Sequence, residues 1–103
     1  MKQTSFLQRV RDAGVVGEGG AGFPAHVKYD AQVETVIANG CECEPLLYTD
    51  QHIMVRHADA IVAALKTVMA AMGAGRGIVA IKRKYAAIAR RLEAAVAGTG
   101  IEL

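Results

Sequence analysis

The stretch from Glu34 to Ile81 constrains the fold more than any other part of this 103-residue chain. Glu34-Thr35-Val36-Ile37-Ala38-Asn39 is dense in β-branched residues, ends at Gly40 and reads as a buried strand. Gly77-Ile78-Val79-Ala80-Ile81 reads as a second strand. Between them the spacing predicts one long helix from about Asp50 to Met72, with Met54, Ala58, Ile61, Leu65, Val68 and Met72 recurring at three and four. Thr49 or Asp50 can cap its start, and Gly73 and Gly75 end it. A strand, a helix and a strand in this order predict parallel neighbours, with the helix crossing one face of the sheet.

The flanks extend the same pattern. Residues Ser5 to Ala13 have helical spacing through Phe6, Leu7 and Val10 and stop at Gly14. Pro24 can open a short helix that runs to about Tyr29. A later helix, Tyr85 to Val96, places Ile88, Leu92 and Val96 on one face, and Ile101-Glu102-Leu103 resembles the first residues of another strand. The expectation is an α/β fold, a Rossmann-like three-layer parallel sheet with crossover helices. It forms a single domain over residues 1–103 and breaks off inside its last strand. With 52% apolar residues and 5% aromatics, the core must be built from aliphatic and alanine contacts.

A formal charge of +2 is too small to indicate nucleic acid or a membrane surface as partner. The amino terminus leads into Arg9, Arg11 and Asp12 with no apolar signal segment, and Arg56, His57, Asp59 and Lys66 interrupt the longest apolar stretch. These features predict a cytoplasmic protein without membrane insertion. Cys41 and Cys43 supply too few thiolates for a four-cysteine cluster, and a bridge at i, i+2 would be strained. Small buried hydrophobe is the role expected for each, and no metal site is expected. His26, His52 and His57 show no ligand spacing.

Two short motifs carry chemistry. Gly17, Gly19 and Gly22 fit G-x-G-x-x-G, with Gly20 an additional glycine. Such a loop can turn consecutive N–H groups onto a phosphate, and it can equally be a plain surface turn. The dinucleotide fingerprint needs a strand before the loop; here a helix precedes it and only Val15-Val16 could be strand. The second motif, Asn39-Gly40-Cys41-Glu42-Cys43-Glu44-Pro45, follows the first strand directly. Ligands of parallel sheets sit outside the carboxyl ends of strands, where this turn belongs. Asn39 offers an amide edge, and Glu42 and Glu44 at i, i+2 point the same way in an extended segment. A solvated acidic loop accounts for the same residues.

Together the motifs resemble a known family. Gly17-Glu18-Gly19-Gly20-Ala21-Gly22-Phe23-Pro24 with Lys28, then Asn39 to Pro45 and Asp50, is similar to the flavin-binding subunit of respiratory complex I. The likeness is closer to the C subunit of the Rnf complex, to cobalamin reductases and to proline-reductase-associated electron-transfer proteins. It extends from about Gly14 to the end. Cys41 stands where those closer relatives carry Ala, and Lys84 where complex I carries an acidic residue. The resemblance implies FMN as cofactor, NADH as substrate and iron–sulfur clusters only in regions outside these residues or in partners. It implies that Gly17, Gly19, Gly20, Gly22 and Lys28 line the FMN pocket and that Asn39 contacts the flavin. Glu42 and Glu44 would act where flavin and nicotinamide meet, with the 17–22 loop beside the 39–45 turn in one open cleft. The chain is then the first part of an NADH-dehydrogenase-type domain, inactive alone, serving an electron-acceptor protein or a member of a membrane complex. Two other readings fit the motifs alone: a phosphate- or nucleotide-binding domain without flavin, and a non-catalytic scaffold.

Overall fold

The computed structural model describes residues 3–17, 22–41 and 48–103. The β-branched runs form the two strands: β1 is Thr35–Asn39 and β2 is Arg76–Ala80. They pair in parallel, with Thr35 opposite Arg76 and Asn39 opposite Ala80. The ladder continues past both ends, since Arg76 N–H donates to the Glu34 carbonyl at 3.2 Å and Gly40 N–H to the Ala80 carbonyl at 2.7 Å. The chain returns to this sheet at its last residues. Glu102 bridges in parallel to Ile78, donating its N–H to the Gly77 carbonyl at 2.9 Å and accepting from Val79 N–H at 2.8 Å. Among the described residues β2 therefore lies between β1 and Glu102, and β1 has an edge with no strand beside it.

Arg76 Nε also reaches Glu102 Oε2 at 2.6 Å. That hydrogen bond first, and the carboxylate charge second, hold the guanidinium above its ordinary pKa. The contact is solvent-screened on both sides and adds little stability.

Among the described residues five helices accompany the sheet: α1 (Gln3–Asp12), α2 (Ala25–Lys28), α3 (Thr49–Arg56), α4 (Ala58–Met72) and α5 (Ala86–Val96). The single helix expected over 50–72 is two. His57 has φ −125° and ψ 30°, well away from helical values near −63° and −42°. The hydrogen bonding runs up to His57 from both sides, with His57 N–H on the Ile53 carbonyl at 2.8 Å and Ile61 N–H on the His57 carbonyl at 2.9 Å. What changes is direction. α3 turns onto α5, whereas α4 covers both strands as well as α5. Met54 and Ala58, on either side of the break, both stay buried, so the bend keeps the apolar stripe on the core. Asp59, in the first turn of α4, lies at the positive end of that helix and pairs with Arg91 of α5 at 3.1 Å.

The core is aliphatic, as the composition requires. Met54, Ala58, Val62, Leu65, Val79, Ile88, Leu92 and Ile101 form one cluster, with Val36 and Ala38 of β1 packed against it. Strand alternation puts Ile37 on the opposite side, where it is 58% exposed. At the other end of the molecule α1 packs on α2. Phe6, buried, sits with its ring 5.8 Å from that of Tyr29, centroid to centroid.

Candidate functional site

The glycine motif belongs to a hairpin. After α1 the chain turns, and Val16 pairs with Pro24 in an antiparallel bridge. Ala25 N–H donates to the Val15 carbonyl at 3.0 Å, and Gly17 N–H to the Phe23 carbonyl at 2.9 Å. The loop is thus closed at its base by its own backbone, not slung between a parallel strand and a crossover helix. With its N–H engaged by the Phe23 carbonyl, Gly17 shapes the base of the loop. Gly22 has φ +67° with nothing within 4 Å of where a side chain would start, so it needs glycine for its backbone and not for space. Gly19 and Gly20 lie outside the described residues.

Lys28 ends α2, its N–H donating to the Pro24 carbonyl at 3.3 Å. It lines a hollow of about 390 Å³ with Val16, Gly17 and Phe23, so the expected partners Gly17 and Lys28 do come together. The same lysine borders a second hollow, of about 450 Å³, along the free side of β1 with Val36, Ile37 and Ala38. Among the described residues no carboxylate forms an ion pair with it.

A third hollow, of about 150 Å³, lies at the carboxyl end of β1, lined by Ala38, Asn39, Gly40, Asp50, Ile53 and Met54. Asn39 Oδ1 accepts the Cys41 N–H at 3.0 Å, a side-chain turn that bends the chain out of the strand. With that oxygen engaged, the NH₂ is the group through which Asn39 can best serve a ligand. The sequence marks Gly40 only as part of a turn, and the structure gives packing as the reason for it. A Cβ there would stand 2.6 Å from Met54 Sδ, 3.0 Å from the Ala80 carbonyl oxygen and 3.2 Å from Ile81 Cγ2. Asp50, which the sequence marks only as part of the resemblance and as a cap, reaches the hollow because α3 starts over the strand end.

The single cleft expected between the two motifs rests in part on residues 18–21 and 42–47. These lie outside the described residues, as do Glu42 and Glu44 themselves. The described flanks give three adjoining hollows, joined through Lys28 on one side and Ala38 on the other. Lys84 projects from the turn after β2 with Nζ 5.3 Å from the centroid of the Tyr85 ring.

A parallel α/β sheet with a loop at the carboxyl end of a strand is an arrangement shared by many nucleotide- and flavin-binding domains. The chain belongs to the Nuo51 FMN-binding domain family, which it matches over residues 10–102. It is 54% identical over 81 residues to the cobalamin reductase PduS of Citrobacter freundii, covering 79% of this chain and 18% of that protein. It is 40% identical over 86 residues to the C subunit of the Na(+)-translocating ferredoxin:NAD(+) oxidoreductase complex of Acetobacterium woodii, covering 80% and 19%. Among solved structures, the NAD+-reducing [NiFe]-hydrogenase in its H2-reduced state superposes with a TM-score of 0.82 at 28% identity, covering 97% of this chain and 20% of the hydrogenase chain. The chain therefore spans about a fifth of the length of these relatives, which are oxidoreductases or parts of oxidoreductase complexes. Among the described residues no helix is long and apolar enough to cross a membrane.

Proposed function

We propose that this chain is the part of an NADH-linked oxidoreductase that grips FMN, within a protein that passes electrons on to iron–sulfur clusters or to a partner. The observation that carries the reading is the meeting of Lys28 and the base of the glycine hairpin around one hollow. FMN is a monoanion-to-dianion phosphate joined to a flat ring, and the residues present fit both ends. Lys28, as a cation beside that hollow, suits the phosphate. The Asn39 amide at the carboxyl end of β1 suits the ring edge.

When bound, FMN accepts hydride from a nicotinamide and releases electrons one at a time. The task of this chain is to hold and orient. Glu42 and Glu44, on the strength of the family resemblance, are assigned to the meeting of donor and flavin, as acceptors for ribose or amide hydrogens. Residues 1–103 act as one unit, and the protein works in the cytoplasm, at the periphery of a membrane complex where one is served. Since this chain spans a fifth of its relatives, it should bind FMN only weakly alone and catalyse no turnover.

The test is flavin content and the rate of flavin reduction by NADH in protein of the relatives' full length. Lys28→Ala should lose roughly 1.5–3 kcal/mol of FMN affinity, on the order of 10- to 150-fold. Glu42→Gln should keep most of its flavin and slow reduction. If Glu42→Gln loses flavin while Lys28→Ala keeps it, the assigned roles are reversed.

A further inference from the structure

We infer that the basic turn Lys82-Arg83-Lys84 is the docking surface for a small acidic one-electron carrier protein, which takes electrons from the flavin at the neighbouring strand end.

The first support is the distribution of charge. The whole chain carries +2, yet no Asp or Glu occurs between Asp59 and Glu93, a stretch that holds seven Lys and Arg. Two of the seven, Arg76 and Arg91, are paired with Glu102 and Asp59. Among the described residues no carboxylate forms an ion pair with Lys82, Arg83 or Lys84. Three like charges side by side repel one another, and the first turn of α5, directly after them, holds no acid to offset them. An acidic partner surface relieves that repulsion.

The second support is the way the charges are presented. Tyr85 N–H donates to the Lys82 carbonyl at 3.2 Å and closes a turn over the cations. The Tyr85 side chain packs against the core cluster, and Lys84 Nζ lies 5.3 Å from its ring centroid. Arg83 and Lys84 are exposed, so the turn is anchored from below and open above. None of the three cations lines the hollow at the end of β1 or the two that Lys28 borders. A compact phosphate calls for cations that converge on a pocket, whereas cations spread along an open turn match a broader acidic face.

The third support is place. Asn39 of β1 stands opposite Ala80 of β2, and the turn begins at Lys82, just past that residue. The cations therefore lie at the same end of the sheet as the amide assigned to the flavin ring. Ile53, 42% exposed, lines the hollow there and offers an apolar contact. Encounters between electron carriers are brief, small in area and steered by charge, which suits a basic turn beside a redox site. In the exchange NADH gives up a hydride to the flavin, two carriers leave with one electron each, and one proton is released. The redox role of the partner rests on the functional reading above; its acidity does not.

The probe is flavodoxin, an acidic one-electron carrier, and the control is cytochrome c, a basic one, both with protein of the relatives' full length. Flavodoxin should bind in a calorimetric titration at low salt and be reduced by NADH through the protein. Combined Lys82→Glu, Arg83→Glu and Lys84→Glu should weaken that binding and lower kcat/KM for flavodoxin by about 10-fold or more, a deficit that shrinks as salt rises. Combined Lys82→Gln, Arg83→Gln and Lys84→Gln should give a smaller loss, with flavin content and melting temperature held in both variants. Cytochrome c reduction should stay level or rise. Flavodoxin binding that is absent in the parent, or that ignores the charge of the turn, overturns the proposal. So does a raised KM for NADH with no change toward flavodoxin, which assigns the cations to a nucleotide phosphate. A parent that binds flavodoxin through the turn yet holds no flavin refutes the functional reading and leaves the docking surface standing.

Discussion

Replacing Gly40 by Ala should destabilise the protein by about 2–3 kcal/mol through contact alone. The added methyl meets three atoms at once: Met54 Sδ at 2.6 Å, the Ala80 carbonyl oxygen at 3.0 Å and Ile81 Cγ2 at 3.2 Å. Met54 can swing in principle, but it is 5% exposed within the core cluster and has little room to do so. The Ala80 oxygen belongs to the backbone and is held at 2.7 Å by the Gly40 N–H. Overpacking a filled interior costs about 1–3 kcal/mol, and stretching that hydrogen bond adds up to about 1 kcal/mol. These terms span about 1–4 kcal/mol; the middle of that range, about 2–3 kcal/mol, lowers the melting temperature of a chain of this size by roughly 8–24 °C. Thermal unfolding followed by circular dichroism reads it directly. Met54→Ala, alone and combined with Gly40→Ala, isolates the largest clash. The double variant should be less damaged than the sum of the singles by about 0.5–3 kcal/mol. A Gly40→Ala protein that melts within about 2 °C of the parent refutes the packing account and leaves ligand approach as the reason for glycine there.

Other expected outcomes follow from single features. Leu92→Ala, at a side chain with 0% exposure, should cost about 2–5 kcal/mol by denaturant unfolding. Gly22→Ala meets no neighbour but forces a side chain onto φ +67°, so a loss of about 1–2 kcal/mol with unchanged core packing is expected, read by melting temperature and near-ultraviolet dichroism. Arg76→Ala removes an exposed ion pair, and the melting temperature should stay within about 2 °C.

Both strands, their parallel pairing and the helix before Gly98 were legible because β-branched runs and helical periodicity are local signals. Their bounds moved by one residue. The break at His57 was not legible, since neither glycine nor proline marks it. It arises because α3 and α4 serve different partners, which only the assembled core decides. The bridge of Val16 to Pro24 escaped for a related reason, as two residues carry no period. Site residues divided in the same way. Lys28 beside Gly17 was foreseeable from the family pattern, and the structure brings them together. The demand for glycine at position 40 was hidden, because Met54, Ala80 and Ile81 are distant in sequence and adjacent only once folded.

The packing of Phe6 against Tyr29 has a consequence for how variants of this protein behave. Tyr29 adjoins Lys28 and lines the same two hollows, so the amino-terminal helix is the mount on which the lysine rides. Loss of Phe6 would tilt that mount while touching no ligand. A genetic screen for cofactor-deficient alleles would then recover Phe6 substitutions beside true pocket mutations. Melting temperature separates the two kinds: loss of the buried Phe6 ring lowers it, whereas removing the charge of the exposed Lys28 leaves it nearly unchanged.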